Sequence, residues 1–222
     1  MIENQKSEVF WEIIDVLRQS SLLPHIMIIG SWAEYLYPYC LGKDYLPNLK
    51  TRDVDVYFGN PYLEVDGAES LIENFQDAGF LLDEHFVDTG KFFKNGIEVE
   101  FLSSQVGSGP GVIEIPFTGV KAEKLCDLNM LKPIWVEVRG YEIKIPSPVS
   151  YALHKLYINP ERNPSSKRLK DIEAVRSLLY FLERKPEEVK NLKAYIQTLS
   201  DEKRQKIFQV AETNGLEIPT ML

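Results

Sequence analysis

The sequence predicts an α+β fold, in which strands and helices are interleaved and a C-terminal helical domain follows. Two observations lead to this prediction. Up to Pro146, short apolar or alternating segments typical of strands are mixed with helical patterns, whereas every patterned segment beyond it has helical spacing. Strands followed by a run of helices are typical of an α+β domain with a helical region behind it. We therefore predict two domains, 1–146 and 147–222.

The chain begins with a predicted helix, strand and second helix. SEVFWEIIDVLRQS has apolar residues at helical spacing, and HIMIIG is an apolar run that predicts a buried strand. SWAEYLYPY starts with Ser31, a residue type that favours helix N-caps, and Pro38 ends that helix. TRDVDVYF then alternates as a strand does, and AESLIENFQDAG predicts a helix closed by Gly79.

Three strands and a hairpin are predicted before the helical part. FLLDEHFVD, KFFKNG and IEVEFLS predict strands, with Asn95-Gly96 as a turn signal between the last two. SSQVGSGPG is typical of a loop, and WVEVRGYEIKIPSP predicts a hairpin around Arg139-Gly140. Four helices follow, in SPVSYALHKLY, SSKRLKDIEAVRSLLYFLER, PEEVKNLKAYIQTL and SDEKRQKIFQVAETNG.

Composition and charge narrow the function classes. The chain has 222 residues, 44% of them hydrophobic, and a net charge of −8. No apolar run approaches the roughly 18 residues that cross a bilayer, and Cys40 and Cys126 lack metal-type spacing. We expect a cytoplasmic protein without membrane contacts. Acidic residues outnumber basic ones before Lys155, and basic residues outnumber acidic ones after it. An acidic first part suits binding of a cation and a basic second part suits binding of phosphate. Solvated helices that carry Lys and Arg explain the difference equally well.

Acidic pairs on two predicted strands are the strongest chemical signal. Because successive strand side chains point to opposite faces, Asp53 and Asp55 share one face. Two carboxylates so close repel each other, so something positive should lie there, and a divalent cation suits such a strand. A solvent-facing acid pair is the alternative interpretation. The alternation of IEVEFLS likewise places Glu98 and Glu100 on one face, where either could supply a further carboxylate.

Gly30 and Ser31 lie where the predicted strand HIMIIG meets the next helix. Backbone N–H groups and the helix dipole at such a junction favour an anion. Glycine lets a phosphate approach the main chain, and a serine hydroxyl can donate a hydrogen bond to it. A turn without a ligand is the commoner meaning of this dipeptide.

Taken in order, IIGSWAEYLY, TRDVDVYF and IEVEFL resemble the three-part signature of the DNA polymerase beta-type nucleotidyltransferase superfamily. The downstream run SPVSYALHKLYINPERNPSSKRLKDIEAVRSLL resembles a bacterial branch of nucleotidyltransferase-like proteins. Its matching elements are His154-Lys155-Leu156, Arg162 and Lys170-Asp171. The resemblance implies a nucleotidyltransferase-type mixed β-sheet with flanking helices, and transfer of an NMP from an NTP to a hydroxyl acceptor with release of pyrophosphate.

The resemblance also implies a metal site. Asp53, Asp55 and Glu100 would hold Mg²⁺ (or Mn²⁺), one ion for the triphosphate and a second for the attacking hydroxyl. The family places its third acid directly before a hydrophobic pair and a small residue, which favours Glu100 over Glu98. The usual residue there is aspartate, so glutamate at this position is a departure from the family pattern.

The phosphate contacts implied by the resemblance come from both halves of the chain. Gly30 and Ser31 would bind the β- and γ-phosphates, and Lys155 and Lys170 would reach phosphates from the helical part. The alternative for Lys155, beside an apolar stripe, is a side chain that snorkels to water, and for Lys170 a solvated helix start. His154 is predicted to be a packing residue.

Two rival functions stay open. A metal-dependent phosphodiesterase or phosphatase also uses paired aspartates but usually needs histidines, and His25, His85 and His154 have no metal-type spacing. A non-catalytic module of the same fold would bind nucleotide or a protein partner, and Glu100 in place of aspartate leaves this open. Neither the base of the NTP nor the acceptor, whether protein, RNA or small molecule, can be inferred from the sequence.

Overall fold

The computed structural model describes residues 2–47, 51–83, 90–105 and 111–219. The chain divides into two compact units. Unit 1 comprises Met1–Gly42, Leu46–Asn129 and Pro133–Ile145, and unit 2 comprises Lys43–Tyr45, Met130–Lys132 and Pro146–Leu222. Within the described ranges, no helix has the length and apolar character needed to cross a membrane.

Unit 1 is built on a mixed β-sheet. The described residues form nine strands: β1 (Ile26–Ile29), β2 (Asp53–Phe58), β3 (Leu81–Asp83), β4 (Lys91–Lys94), β5 (Ile97–Ser104), β6 (Val112–Glu114), β7 (Lys121–Leu125), β8 (Pro133–Val138) and β9 (Tyr141–Pro146). The main path of the sheet runs β1-β2-β5-β4-β3, and β7 pairs with both β5 and β6. The β2–β5 and β5–β7 pairs are parallel and the remaining pairs of this sheet are antiparallel. Strands β8 and β9 form a separate two-stranded sheet.

The helices belong to both units. The described residues form eight α-helices: α1 (Ile2–Gln19), α2 (Gly30–Leu36), α3 (Pro38–Leu41), α4 (Leu71–Asp77), α5 (Pro148–Ile158), α6 (Ser165–Leu182), α7 (Pro186–Thr198) and α8 (Asp201–Thr213). Short 3₁₀ turns occupy Leu23–His25, Ala68–Ser70, Leu128–Met130 and Asn159–Glu161.

One face of the main sheet is covered by aromatic packing. Phe75 of α4 stacks on Phe92 of β4, with ring centroids 4.2 Å apart, and meets Phe101 of β5 edge to face. Lys94 of β4 points to the same side, where its ammonium lies 2.6 Å from Glu12 of α1. Because strand side chains alternate, the residues between these on β4 and β5 point to the opposite face. That opposite face carries the carboxylates of β2 and β5.

Unit 2 packs its helices around α5, of which nine residues are buried. The start of helix α5 is stabilised by its N-cap, Ser147, whose hydroxyl accepts a hydrogen bond from the backbone N–H of Ser150. Helix α7 is tied to the segment before β8 by the Tyr195 hydroxyl, which donates a hydrogen bond to the carbonyl oxygen of Met130. Burial raises the pKa of Tyr195 to about 12.

The predicted fold class is confirmed: a mixed sheet with flanking helices precedes a C-terminal helical region. Two strands, β6 and β7, were not predicted. The N-cap prediction for Ser31 is wrong, because α2 begins at Gly30 and its N-cap position, Ile29, makes no side-chain cap bond. The predicted strand FLLDEHFVD is described only through Asp83, and most of the predicted loop SSQVGSGPG lies outside the described residues.

Candidate active site

Four carboxylates occupy neighbouring positions on one face of the unit 1 sheet. Asp53 is opposite Glu98 and Asp55 is opposite Glu100 in the parallel β2–β5 register. All four are half-buried, whereas the intervening valines are buried on the other face. The alternation predicted from TRDVDVYF and IEVEFLS is therefore what places the two acidic pairs side by side.

Gly30 joins this group through its contact with Asp55. Ile29 is the register partner of Asp55 on β1, so the next residue, Gly30, starts α2 directly beside that carboxylate. A β-carbon built on Gly30 would stand 2.0 Å from Asp55 Oδ2, and Gly30 has a left-handed φ of +65°. Both the backbone conformation and the space at this position therefore require glycine.

Lys91 supplies the positive charge on this face. Its ammonium donates hydrogen bonds to Glu98 Oε1 and Glu100 Oε1, and its side chain is only 19% exposed. Lys91 is also the register partner of Asp83 on β3. Lys91 thus supplies a positive charge to the two carboxylates of β5, the strand next to its own.

Burial and neighbouring negative charge shift the pKa of Lys91 in opposite directions. Burial lowers the pKa of Lys91, but the hydrogen bonds and charges of Glu100 and Glu98 outweigh it, so the pKa is raised above its ordinary value. The ammonium is therefore charged throughout the neutral range. It compensates Glu98 and Glu100 directly.

The donor chemistry of this face suits a hard divalent cation. Asp53 and Asp55 offer hard carboxylate oxygens on a half-buried surface, which suits Mg²⁺ or Mn²⁺. Glu100, the predicted third ligand, already binds the Lys91 ammonium. The described part of the chain contains no group of three or more Asp, Glu, His or Cys side chains placed to hold a metal ion.

Ser31 lies in the first turn of α2, one residue after Gly30, and is half-buried. Ser31 is not an N-cap. Its predicted role in phosphate binding therefore depends only on the position of its hydroxyl, near the Gly30–Asp55 contact. The two residues predicted to bind phosphates in unit 1 therefore lie next to the carboxylates predicted to bind metal.

Lys155 and Arg162, two residues of the helical part that resemble the family pattern, both contact Asp171 of α6. This carboxylate is 2% exposed and accepts hydrogen bonds from Lys155 Nζ at 2.5 Å and from Arg162 Nε at 3.0 Å. The Lys155 ammonium also lies 4.8 Å from the ring centroid of Tyr151. Lys155 does not snorkel to water, since it is 8% exposed, whereas Lys170 is exposed.

The histidines offer no support for a hydrolase of the histidine-dependent type. His154 is buried in unit 2, in agreement with its predicted packing role, and His25 lies in a 3₁₀ turn of unit 1. His85 lies outside the described residues.

Lys91 is a charged residue of this face that the sequence did not predict. A signal for it exists: the Asn95-Gly96 turn pairs Lys94 with Ile97 and Phe92 with Val99. Counting one pair further from the turn places Lys91 opposite Glu100.

Comparisons with known proteins give a family match and several similar structures, three of which are described below. A family model described as nucleotidyltransferase matches residues 8–198. No curated protein matches the chain.

The chain is similar to the antibiotic-resistance factor ANT(2'')-Ia in solution, with 16% identity and a TM-score of 0.46 over 89% of this chain and 94% of that one. It is also similar to ANT(2'')-Ia in complex with adenylyl-2''-tobramycin, with 14% identity and a TM-score of 0.48 over 87% of this chain and 98% of that one. A third similar structure is an antigenic nucleotidyltransferase-like protein from Paracoccidioides brasiliensis, with 18% identity and a TM-score of 0.44 over 91% of each chain.

Proposed function

Since the chain belongs to the nucleotidyltransferase family whose model matches residues 8–198, we propose that it moves an NMP from an NTP to a hydroxyl acceptor and releases pyrophosphate in a metal-dependent reaction. One observation carries the proposal. Asp53 and Asp55 stand on one face of β2, and Asp55 lies directly beside the glycine that opens α2. A carboxylate pair beside a glycine that opens a helix suits a metal–triphosphate complex.

Asp53 and Asp55 would hold the divalent cation, and that cation would neutralise phosphate charge and lower the pKa of an attacking hydroxyl when bound. Gly30 would admit the β- and γ-phosphates to the backbone, and Ser31 would donate a hydrogen bond to them. Glu100 stays the candidate third carboxylate, because it is opposite Asp55 in the register, but Lys91 binds it.

Lys155 and Lys170 would contact nucleotide phosphates. A lysine ammonium has three N–H donors, and Asp171 takes one of those of Lys155. Asp171, which Arg162 also holds, would thereby fix the position of the Lys155 ammonium while leaving it able to bind a phosphate oxygen. Lys170 is exposed and would add a solvated charge of smaller effect.

A second candidate function is a nucleotide- or partner-binding module of the same fold without catalysis. The ion pair between Lys91 and Glu100 favours it, because a carboxylate bound to an ammonium is a poorer metal ligand. Consumption of NTP in the presence of metal separates the two functions.

The proposal is tested by incubating the protein with each of the four NTPs, labelled at the α-phosphate, together with Mg²⁺ or Mn²⁺ and a cell extract. Label is expected in one of three fractions, protein, RNA or small molecules, which identifies the acceptor class. The Asp55→Asn variant serves as the control and should transfer no label. Equal labelling by wild type and Asp55→Asn would contradict the proposal, and nucleotide binding without metal-dependent turnover would favour the second candidate.

A further inference from the structure

We propose that the pocket at the turn between β6 and β7 is the acceptor site of this nucleotidyltransferase, and that it takes a small hydroxyl compound whose ring stacks on Phe117. The pocket has a volume of about 500 Å³, within the roughly 300–1,000 Å³ that small-molecule sites occupy. Its floor is apolar, since Ile115 and Val120 are buried, and Glu114 and Lys121 line its rim. The proposal deepens the proposed function and rests on it in requiring a hydroxyl acceptor.

The rim of this pocket belongs to the face of the sheet that carries the carboxylates. Leu102 of β5 is the register partner of Glu123 of β7, and alternation along β5 puts Leu102 on the same face as Glu100. Lys121, two residues before Glu123, points to that face as well. Glu114 is the register partner of Lys121 on β6 and therefore also points there.

The floor of the pocket lies next to the ion pairs of Lys91. A β-carbon built on Gly90 would stand 4.0 Å from Val120 Cγ1, so Val120 lies beside the residue that precedes Lys91. The ammonium of Lys91 contacts both Glu98 and Glu100. A ligand in the pocket is therefore a neighbour of the group that contains Glu100, the candidate third carboxylate.

The strand order determines the side from which an acceptor must approach. In phosphoryl transfer the attacking and leaving oxygens lie roughly in line through the phosphorus. Gly30, proposed to hold the leaving pyrophosphate, follows β1 on one side of β2, whereas β5, β7 and β6 lie on its other side. The acceptor oxygen therefore attacks the α-phosphorus from the β5 side. A new P–O bond forms, the bond to the β-phosphate breaks with its electron pair leaving on pyrophosphate, and the hydroxyl proton passes to Glu100.

Phe117 is held outward by a well-defined turn. Its φ of +64° is left-handed, which is unfavourable for a bulky residue, and it is 56% exposed. The buried Thr118 braces the turn: its hydroxyl donates to the carbonyl oxygen of Ile115 and accepts from the backbone N–H of Val120. Backbone strain of this kind is retained at ligand sites. A fixed aromatic ring beside an apolar floor suits stacking of a flat ligand face.

The charge of this face indicates the class of acceptor. Among the described residues, carboxylates outnumber ammonium groups there, with Asp53, Asp55, Glu98, Glu100, Glu114 and Glu123 against Lys91 and Lys121. Such a surface repels the phosphates of an RNA strand. A pocket formed by one turn is also much smaller than the roughly 800 Å² that each partner buries in a stable protein interface. The site therefore favours a small molecule without phosphate groups, with polar groups that hydrogen-bond to the rim.

The test uses Phe117→Gly, which removes the ring and relieves the left-handed backbone. The protein is incubated with Mg²⁺, each α-labelled NTP in turn and the dialysable fraction of a cell extract. At limiting amounts of this fraction, Phe117→Gly should label small molecules about tenfold less than the wild type. It should bind the NTP equally tightly and unfold at no lower a urea concentration. Phe117→Tyr keeps the ring and should label as the wild type does. Asn95→Gly, at an exposed left-handed position in another turn, should change neither labelling nor NTP affinity.

Labelling of RNA or protein instead of small molecules by the wild type would overturn the acceptor site and leave the proposed function standing. Unchanged labelling in Phe117→Gly, or an NTP affinity that falls in step with labelling, would do the same. Equal labelling of small molecules by wild type and Asp55→Asn would contradict the proposed function, while a loss confined to Phe117→Gly would still support the acceptor site. No label in any fraction and no pyrophosphate release by the wild type would overturn both.

Discussion

The α-carbon of Gly30 lies against the carboxylate of Asp55, so closely that a β-carbon on Gly30 would stand 2.0 Å from Asp55 Oδ2. The start of α2 and the central carboxylate of β2 therefore form one unit, in which neither can change without moving the other. This contact is the basis of the first prediction.

Gly30→Ala should abolish nucleotide binding, because the methyl group must push the Asp55 carboxylate aside. It should also lower the free energy of unfolding by more than the roughly 1–2 kcal/mol that a left-handed backbone costs a non-glycine residue. Gly215→Ala is the matched control, since Gly215 has a similar φ of +59° and open space around it. That variant should show the backbone cost alone and full NTP affinity, as measured by calorimetric titration and urea unfolding. Equal behaviour of the two variants would show that the Gly30–Asp55 contact has no functional role.

Ser31→Ala should weaken NTP binding about tenfold, equivalent to roughly 1.4 kcal/mol, through loss of a hydrogen bond to phosphate. Its unfolding free energy should stay unchanged, because Ser31 does not cap α2. Ser200→Ala should do the reverse: Ser200 caps α8 by accepting from the backbone N–H of Lys203, so its loss should cost about 0.5–2 kcal/mol of stability and no affinity. Unchanged NTP affinity in Ser31→Ala would remove Ser31 from the phosphate site.

Lys155→Met should lower both stability and nucleotide affinity. Among the described residues, Asp171 would keep only Arg162 as a partner, and a buried carboxylate that loses one partner costs about 1–3 kcal/mol. NTP affinity should fall about tenfold, whereas affinity for the bare nucleoside should not change. Lys170→Met, at an exposed position, should leave stability unchanged and weaken NTP binding less. A loss of affinity for the nucleoside equal to that for the NTP would place Lys155 outside the phosphate site.

Tyr195→Phe should lower the free energy of unfolding by about 0.5–1.5 kcal/mol at pH 8, because the hydrogen bond to the Met130 carbonyl is lost. The folded pKa of Tyr195, about 12, exceeds the value near 10 expected for an unfolded chain. Its contribution is therefore complete below about pH 10 and is lost as the pH rises toward about 12. Urea unfolding from pH 8 to 12 should show wild type and variant converging, and parallel curves would contradict the assignment.

The sequence predicted those parts of the site that depend on local pattern. Alternation in TRDVDVYF and IEVEFLS is enough to place Asp53 with Asp55 and Glu98 with Glu100, and the apolar run HIMIIG is enough to locate the Gly30 junction. The strand order that brings these segments together is a tertiary property, and it entered only through the family resemblance.

The features that the sequence did not reveal depend on pairing between distant segments. Lys91 owes its importance to the β4–β5 register, and Lys155 meets Asp171 only because α5 packs on α6. Strands β6 and β7 are short and half-exposed, so their residues lack the apolar alternation that marks a strand. Ser31 was misassigned because the helix starts one residue earlier, at a glycine that the Asp55 contact requires.

The central claim is that Asp53 and Asp55 hold the metal for nucleotidyl transfer, and its most direct test is pyrophosphate release from NTP in the Asp53→Asn, Asp55→Asn double variant. Both residues are half-buried on the carboxylate face, so the substitutions should leave the circular dichroism spectrum and urea midpoint close to those of wild type. With Mg²⁺ or Mn²⁺, the wild type should release pyrophosphate in step with labelling of the acceptor, and the correctly folded double variant should release none. Release by the double variant at the wild-type rate would contradict the assignment of the metal to Asp53 and Asp55.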